Sequence, residues 1–250
     1  MKICLENDVA LVTGAGRGNG RAIALGLAQA GAAVFVTDID EASARSTAGA
    51  IEAAGAKAAH ARLDIQDTAG CSALPKQVQR ELGPISILVN NAGIMRRATV
   101  RSETALQDWR QTIDVNVNGT FQVTHAFLDH LIGTKGRIVN MASIQSFVAP
   151  PNSAAYTASK GAIAQLTKAL AVELVDFGIR VNAIAPAIIE TELSRETREL
   201  PDYPRYLEAI PMRRAGQPQE LVGPVLFLVS QMSTYVTGVV IPIDGGRLAR

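Results

Sequence analysis

The sequence has little cysteine. Its 250 residues include Cys4 and Cys71 alone, which are too few for a disulfide framework. No cluster of Cys and His has the spacing of a zinc site, and we predict no metal site. This cysteine usage is typical of a reducing compartment, so we expect a cytoplasmic protein.

The sequence also lacks a charge imbalance and a long hydrophobic run. Its 24 Lys and Arg against 23 Asp and Glu give no field that would attract nucleic acid or an anionic membrane. No segment offers the about 18 consecutive apolar residues that span a bilayer. The first residues, MKICLENDVALVTG, have no signal-peptide core or cleavage site. We therefore expect a small-molecule ligand, with neither nucleic acid nor membrane as partner.

Apolar residues are plentiful. They make up 48% of the chain against 19% charged residues, which is enough to build the core of one domain over residues 1–250. Strand and helix patterns alternate along most of the chain. The exception is a polar stretch with Pro201, Pro204 and Pro211. In this position we predict a substrate-covering lid, here called the lid segment (residues 190–213).

A strand, a glycine-rich loop and a helix follow one another near the start. DVALVT (residues 8–13) reads as a buried strand, Gly14 to Gly20 follow, and RAIALGLAQAG reads as a helix. Glycines let the backbone approach a pyrophosphate, which lies at the positive end of the helix. In this context the pattern predicts a dinucleotide-binding loop, the alternative being a simple tight turn.

Asp38 ends the next predicted strand, AAVFVTD. A carboxylate there can accept both ribose hydroxyls of an adenosine and repels a 2′-phosphate, which favours NAD over NADP. Arg17, in the glycine loop, argues for NADP because a guanidinium can pair with that phosphate. We give Asp38 more weight, since a carboxylate beside a dianion is penalised directly whereas Arg17 can face solvent. The predicted cofactor is NAD.

Two further strand ends carry candidate cofactor contacts. Asp64 and Ile65 end KAAHARLDI and could edge an adenine, although Asp64 could instead cap the helix that begins near Thr68. The strand SILVNNAG closes with Asn90 to Gly93, and asparagines at a strand end can bond backbone or cofactor.

Ser143, Tyr156 and Lys160 are the candidate catalytic residues. Tyr156 and Lys160 are four residues apart and share one face if their segment is helical. A nearby ammonium would lower the phenol pKa from about 10 towards the working range. Ser143, at the end of RIVNMAS, could hydrogen-bond a substrate oxygen. Such a Tyr and Lys pair is usually a solvated helix face, but with Ser143 and the nucleotide loop it predicts proton exchange with an alcohol or ketone.

Asn116 is a polar residue inside an apolar pattern that predicts one long helix over residues 103–132. A buried amide needs partners. Either it bonds neighbouring backbone, or it holds a water in a proton path near Lys160.

These motifs together resemble the short-chain dehydrogenase/reductase family over essentially the whole chain. The motifs are TGxxxGxG at Gly14, Gly18 and Gly20, NNAG at Asn90 to Gly93, Asn116, Ser143, YxxxK at Tyr156 and Lys160, and the segment Pro186 to Thr191. The resemblance implies an α/β fold, a Rossmann-type doubly wound parallel sheet of seven strands in the order 3-2-1-4-5-6-7. It also implies a homo-oligomer, with a tetramer favoured over a dimer.

The resemblance implies residue roles as well. Tyr156 would be the general acid/base, Ser143 would polarise the substrate oxygen, and both would contact substrate. Lys160 would bind the nicotinamide ribose and lower the tyrosine pKa, and Asn116 would hold the relay water. The expected cofactor contacts are Gly14, Arg17, Gly18, Asn19, Gly20, Asp38, Asp64, Ile65, Asn91, Ala92, Gly93, Tyr156, Lys160, Pro186, Ile189 and Thr191. Two residues depart from the family pattern, Asn19 for an aliphatic residue and Ala187 for a glycine.

Arg96 and Arg97 indicate a substrate class. The string NNAGIMRR is similar to NNAGI-x-RR of the family branch that acts on gluconate and deoxy-keto-gluconate, as is IPMRRAGQPQELVGPVLFL. We predict a sugar acid or polyol whose carboxylate lies near Arg96 or Arg97, the alternative being a solvated or intersubunit pair. Rival functions are reduction of 3-oxoacyl thioesters or hydrophobic ketones, and dinucleotide binding without catalysis. The intact Ser143, Tyr156 and Lys160 favour an enzyme.

Overall fold

A seven-stranded parallel sheet forms the centre of the computed structural model, which describes residues 3–249. The strands are β1 (Val9–Thr13), β2 (Ala33–Asp38), β3 (Ala58–Arg62), β4 (Ile87–Asn90), β5 (Arg137–Met141), β6 (Arg180–Pro186) and β7 (Val240–Ile243). They lie in the order β3-β2-β1-β4-β5-β6-β7, and each neighbouring pair is parallel. The predicted fold is confirmed.

Helices cover both faces of the sheet. They are α1 (Gly18–Gln29), α2 (Glu41–Ala53), α3 (Thr68–Glu81), α4 (Ala105–Ile113), α5 (Thr120–Ala126), α6 (Leu128–Thr134), α7 (Ala154–Glu173), α8 (Arg195–Arg198), α9 (Tyr203–Glu208) and α10 (Val222–Val229). Alternate residues of β1 enter opposite clusters: Ala10 and Val12 pack with α1, α2 and α10, and Leu11 packs with α3 and α7. Continuous apolar strands such as β1 arise because both faces are buried.

The predicted helix over residues 103–132 is wrong as a single element. The chain forms α4, then a wide π-type turn over Asp114–Gly119, then α5 and α6 with a break at Phe127. Thr120 Oγ1 donates to the main-chain oxygen of Asn116 at 2.9 Å, and Thr124 Oγ1 donates to that of Thr120 at 2.9 Å. These bonds satisfy carbonyl groups in the disturbed turns. Wide turns of this kind are frequent at functional sites.

The lid segment contains two short helices, α8 and α9, and a 3₁₀ turn over Glu192–Ser194. An isolated parallel bridge between Ile189 and Gly216 joins its two ends. After the segment the chain forms a 3₁₀ turn, Pro218–Leu221, and continues as α10. The lid segment therefore leaves the carboxyl edge of the sheet and returns to it at nearly the same point.

None of the helices in residues 3–249 has both the length and the apolar character needed to cross a bilayer. The same residues contain no group of three His, Cys, Asp or Glu side chains that could hold a metal ion.

Candidate active site

The carboxyl ends of the strands open into one cleft with two connected cavities. The larger, about 450 Å³, is lined by the glycine loop and by Asp38, Asp64 and Ile65. The smaller, about 140 Å³, is lined by Ser143, Tyr156 and Lys160 and is here called the catalytic cavity. Six residues line both cavities: Asn19, Asn91, Gly93, Met95, Thr191 and Leu193. This edge is where open α/β sheets bind ligands.

The glycine loop is clamped to the NNAG turn. Gly14 has a φ of +60°, and a Cβ there would lie 2.8 Å from Ala92 Cα. A Cβ on Gly20 would collide with the oxygen of Gly14 and with Asn91 Nδ2. Asn91 Nδ2 donates to the main-chain oxygens of Thr13 and Gly14, both at 2.9 Å. Of the two predicted uses of the asparagine, the structure shows the backbone one, which fixes the loop beside the N-terminus of α1.

Asp38 lies in the wall of the larger cavity, 9% exposed. Its Oδ2 accepts a hydrogen bond from the backbone N–H of Gly16 at 2.9 Å, and Oδ1 accepts one from that of Asp40 at 3.1 Å. Arg17 lines the same cavity and is exposed. Asp38 and Arg17, the two residues that bear on the choice between NAD and NADP, therefore both lie at the cavity surface. The Asp38 carboxylate is held by backbone hydrogen bonds, whereas the Arg17 guanidinium is in solvent.

Asp64 and Ile65 also line the larger cavity, and their contact with an adenine stays a prediction. The alternative role of Asp64 as a helix cap is wrong. Asp67 caps α3, because its Oδ1 accepts from the backbone N–H of Ala69 at 3.1 Å. Asp64 Oδ1 accepts from the backbone N–H of Gln66 at 3.0 Å.

Ser143, Tyr156 and Lys160 meet in the catalytic cavity. Tyr156 and Lys160 lie on α7, and Lys160 Nζ is 5.6 Å from the centre of the Tyr156 ring. Ser143 follows β5, where its Oγ accepts from the backbone N–H of Gln145 at 3.2 Å and lies 3.5 Å from the main-chain oxygen of Pro186. One strand end and one helix thus bring the three side chains together, as predicted.

The pKa values differ from the expectation. Burial among the cavity walls raises the pKa of Tyr156 to about 12, and a hydrogen bond with Ser143 acts in the opposite direction. Burial lowers the pKa of Lys160 to about 8. The predicted lowering of the tyrosine pKa by the lysine is not seen, because burial of the phenol is the largest effect. Lys160 Nζ instead donates to the main-chain oxygen of Met141 at 2.6 Å. Tyr156 is therefore a neutral phenol near pH 7, although part of its surface still reaches the cavity.

Asn116 lies in the wide turn and is 1% exposed. Its Oδ1 accepts from the backbone N–H of Ile94 at 2.8 Å, and its Nδ2 donates to the oxygen of Ile94 at 2.9 Å and to Ser159 Oγ at 3.0 Å. This is the backbone-bonding alternative. Because Ser159 precedes Lys160 on α7, the amide joins the chain after β4 to the helix that carries the catalytic lysine.

Asn19, Pro186, Ile189 and Thr191 line the catalytic cavity, and their contacts with a cofactor stay predictions. Asn19 Oδ1 is buried and has no hydrogen-bond partner in the described part of the chain. An unpaired buried acceptor costs free energy, so a ligand donor at this point would be stabilising. Together with the glycine loop at the N-terminus of α1, these residues fit a nicotinamide dinucleotide.

Arg96 and Arg97 do not line the catalytic cavity. Arg96 is exposed, and its Nη2 donates to Gln111 Oε1 at 3.3 Å. Arg97 is half-buried, and its guanidinium donates to Thr197 Oγ1 at 2.9 Å and to the Tyr206 hydroxyl at 3.3 Å. The arginines point in different directions, and of the two only Arg97 contacts the lid segment.

Gln145 and Met95 belong to the site but were not predicted. Gln145 Oε1 accepts from Ser153 Oγ at 2.7 Å and from Thr157 Oγ1 at 2.9 Å, which ties the turn after Ser143 to the start of α7. Ser153 occupies the N-cap position of α7 but makes this bond instead of a side-chain cap. Gln145 could have been predicted as part of the site because it is a polar residue two positions after Ser143. Met95, directly after NNAGI, lines both cavities.

Comparison with known proteins gives a consistent result. The family model described as Enoyl-(Acyl carrier protein) reductase matches residues 14–247. The chain is 40% identical over 244 residues to gluconate 5-dehydrogenase of Gluconobacter oxydans strain 621H, covering 97% of this chain and 95% of that protein. It is also 40% identical over 246 residues to the 3-oxoacyl-[acyl-carrier-protein] reductase FabG of Thermotoga maritima, covering 97% and 98%.

A solved structure supports the same grouping. The crystal structure of a gluconate 5-dehydrogenase from Burkholderia cenocepacia J2315, in complex with NADP and tartrate, is 38% identical with a TM-score of 0.94. The match covers 100% of this chain and 98% of that one. The fold, the strand-end cleft and these similarities agree: the chain belongs to the short-chain dehydrogenase/reductase family and is an NAD(P)-dependent oxidoreductase that acts on CH–OH groups.

Proposed function

We propose that the protein interconverts a secondary alcohol and a ketone in a sugar acid or a related polyol, with NAD as the preferred cofactor. The observation that carries the proposal is the meeting of Ser143, Tyr156 and Lys160 in a cavity continuous with the glycine-loop cavity. A protein that only bound a dinucleotide would have no need of all three side chains.

The proton chemistry follows from the side chains of the catalytic cavity. The Ser143 hydroxyl donates to the substrate oxygen and holds it near the phenol of Tyr156. In ketone reduction the neutral phenol, with a pKa of about 12, donates a proton to that oxygen. In alcohol oxidation the phenolate accepts the proton instead. A nicotinamide cofactor, when bound beside these residues, would supply or accept the hydride.

Lys160 has donors for more than one partner. Its ammonium group carries three N–H donors, and the structure uses one of them for Met141. The ammonium lies at the cavity wall, 5.6 Å from the centre of the Tyr156 ring, where its remaining donors would bind a nicotinamide ribose. A positive charge retained there favours the phenolate when the phenol loses its proton. Asn116, through Ser159, positions the helix turn that bears Lys160.

The preference for NAD is supported by Asp38. The carboxylate is held by Gly16 and Asp40 at the cavity wall, so a 2′-phosphate bound there would face a fixed negative charge. Arg17 is the opposing feature, since it could turn from solvent to meet that phosphate. The structure of a related gluconate 5-dehydrogenase contains NADP. The preference of this protein for NAD or NADP is therefore the first property to measure.

The sugar-acid assignment is supported by the gluconate 5-dehydrogenases among the relatives and by Arg97. This guanidinium is half-buried with hydroxyl partners and forms no ion pair within residues 3–249. A carboxylate that entered under the lid segment would find an unneutralised fork-shaped donor. Arg96, exposed beside Gln111, is the weaker candidate for that contact.

A second candidate substrate class is favoured by the walls of the catalytic cavity. Ile144, Ile188, Ile189 and Leu193 make part of the lining apolar, and a 3-oxoacyl reductase is among the relatives. Hydrophobic ketones or 3-oxoacyl thioesters would suit such walls.

Steady-state kinetics with NAD separates the candidates. The panel contains gluconate and related sugar acids, neutral polyols, simple secondary alcohols and a 3-oxoacyl thioester in the reductive direction. We expect the highest kcat/KM for one of the sugar acids or polyols. We also expect Arg97→Ala to raise the KM of carboxylate substrates more than Arg96→Ala does. If neutral hydrophobic alcohols or the thioester outperform every sugar acid and polyol, the assignment is wrong.

We also propose a homo-oligomer, with a tetramer favoured and a dimer possible. Large apolar side chains are exposed on α4, α5 and α7, namely Leu106, Trp109, Phe121 and Val172. Such exposed groups mark interaction surfaces. Light scattering at working concentration measures the mass directly, and a monomer would contradict the proposal.

We propose the cytoplasm as the location. Cys4 and Cys71 are free thiols, the first exposed and the second buried. Burial and the nearby carboxylates of Asp67 and Asp64 raise the pKa of Cys71 to about 11, so it stays protonated. A reducing compartment suits this arrangement. Fractionation of the cells that make the protein tests it.

A further inference from the structure

One arginine outside the lid segment joins its two helices. Arg97, in the chain that follows β4, donates from Nη1 to Thr197 Oγ1 on α8 at 2.9 Å. From Nη2 it donates to the Tyr206 hydroxyl on α9 at 3.3 Å. Thr197 is 5% exposed, so this contact lies inside the protein rather than on its surface. A single planar guanidinium therefore holds both helices.

The other side-chain bonds of residues 192–207 stay within the lid segment or at its base. Ser194 Oγ donates to the oxygen of Ile189 and Arg198 Nη2 to that of Thr191, so these bonds stay at the base of the segment. Arg195 pairs with Glu192 and Glu199, within the segment. Among the described side chains of residues 192–207, the hydrogen bonds that reach the chain before Pro186 are the two from Arg97.

Helices as short as α8 and α9 are not stable alone in water. Their position depends on contacts with the rest of the domain. A hydrogen bond from a charged donor is stronger than one between neutral groups, and here one charge makes two of them. The arginine is thus a major tie between the short helices and the end of β4.

The start of the lid segment forms walls of the cleft. Leu193 and Ser194 line the catalytic cavity with Ser143 and Tyr156, and α8 begins directly after them. A displacement of α8 would move these walls away from the substrate position.

We propose that Arg97 is a positioning residue that anchors the lid segment over the cleft through Thr197 and Tyr206. The anchor exists without any ligand, so the inference does not depend on which alcohol or ketone is the substrate. It assigns to Arg97 a structural task that Arg96, one residue earlier, does not share. Loss of the anchor leaves the segment attached at Ile189 and Gly216 and by the bond from the Met212 N–H to the Gly245 oxygen, while Thr197 and Tyr206 lose their bonds to the chain after β4.

Limited trypsin digestion without cofactor or substrate is the first test. The lid segment contains Arg195, Arg198 and Arg205 as cleavage sites, and mass spectrometry follows their initial cleavage rates. We expect Arg97→Met to raise these rates about tenfold, because local opening governs cleavage of folded segments. Arg96→Met is the matched control and should leave them unchanged. Equal rates in the two variants would overturn the proposal.

The partner hydroxyls test the same anchor while the positive charge is kept. Tyr206→Phe and Thr197→Val each remove one acceptor, and each should raise the cleavage rates by a smaller factor than Arg97→Met. Added to Arg97→Met, they should have no further effect, because the bonds are already lost. Full additivity, or no effect of either change in the parent protein, would contradict the proposal.

Kinetics separates an anchor from a substrate ligand and from a general loss of stability. An anchor predicts that Arg97→Met and Tyr206→Phe both raise the KM of every accepted substrate, neutral ones included. The unfolding temperature should change little. If Tyr206→Phe leaves all KM values unchanged and Arg97→Met affects carboxylates alone, Arg97 is a substrate ligand and not an anchor. The sugar-acid proposal would then survive while this one fails.

Discussion

Lys160 Nζ donates a hydrogen bond of 2.6 Å to the main-chain oxygen of Met141, which joins α7 to the end of β5 beneath the catalytic cavity. The lysine is 4% exposed, and its burial lowers its pKa to about 8. A charged group so far from water destabilises the folded state relative to an apolar side chain of similar size. The site therefore keeps this charge at a cost in stability, as functional sites often do.

Replacing the charge should stabilise the fold while removing the activity. We expect Lys160→Met to raise the free energy of unfolding at pH 7 by about 1–3 kcal/mol. The folded pKa of about 8 lies below the ordinary 10.5, so the unfolded chain binds more protons between these values. Wild-type stability then rises with pH across that window, and the advantage of the variant shrinks there.

Urea unfolding at pH 7, 8 and 9.5 measures this effect. Lys168→Met, which changes an exposed lysine on the same helix and keeps Lys160, is the control, and its difference in stability from the parent should not change with pH. A Lys160→Met protein that is less stable than the parent at pH 7 would contradict the prediction.

Tyr156→Phe should abolish turnover and leave NADH binding nearly intact. The ring still packs against the cavity wall, but it has no hydroxyl to give or take a proton. NADH binding is followed by fluorescence titration and turnover by absorbance of the cofactor. Near-normal turnover by this variant would rule out Tyr156 as the acid/base.

Ser143→Ala should lower kcat about a hundredfold or more, as expected when a positioned donor to the substrate oxygen is removed. The hydroxyl also accepts from Gln145, a bond that alanine cannot make. Ser146→Ala, which alters a neighbouring hydroxyl that donates to the oxygen of Lys160, is a useful comparison. A Ser143→Ala protein with kcat within a factor of about three of the parent would exclude the proposed role.

Asp38 should set the preference for NAD. Asp38→Asn keeps an oxygen that can accept from Gly16 but removes the negative charge, so we expect kcat/KM with NADP to rise relative to NAD. Arg17→Ala in that background should cancel the gain, because no guanidinium would then meet the 2′-phosphate. Glu41→Gln, an exposed acid nearby, is the control. Equal use of both cofactors by the wild type would show that Arg17 outweighs Asp38.

Asn19 should contribute to binding of the nicotinamide half of the cofactor. Its buried, unpaired Oδ1 can be satisfied if the amide turns to a donor in the cleft that it lines. We expect Asn19→Leu to weaken NADH binding severalfold and to leave AMP binding unchanged, without a loss of stability. Titration of the two ligands measures this. Unchanged NADH affinity would show that Asn19 is not a cofactor contact.

The sheet order was predicted from the resemblance to the short-chain dehydrogenase/reductase family. Local patterns were enough to predict the alternation of strands and helices and the positions of Ser143, Tyr156 and Lys160. Each of those features is encoded within a few residues: an apolar run, a glycine loop or a four-residue helical spacing. The lysine's main partner was not predictable in this way. Met141 contributes a backbone oxygen, which any residue type would supply.

Contacts between distant parts of the chain account for the other differences. The side chain of Asn116, in the wide turn, is hydrogen-bonded to Ile94 and Ser159. Helix propensities describe single residues and cannot predict such long-range bonds. The direction of Arg97 is set by hydroxyl groups on α8 and α9, which the sequence places about a hundred residues away. Sequence reasoning could place this arginine at a strand end but could not identify its partners.

The wide turn at Asp114–Gly119 also affects how this helical region tolerates changes in length. Deleting one residue from an ordinary α-helix rotates every later side chain by about 100°, which would expose the buried face of α5. A π-type turn already holds a surplus residue, so a one-residue deletion there can restore regular α-helix and leave Val123 facing the core. The shortened protein would keep its fold but would lose the position of Asn116. A single deletion would therefore impair the active site without disrupting the fold.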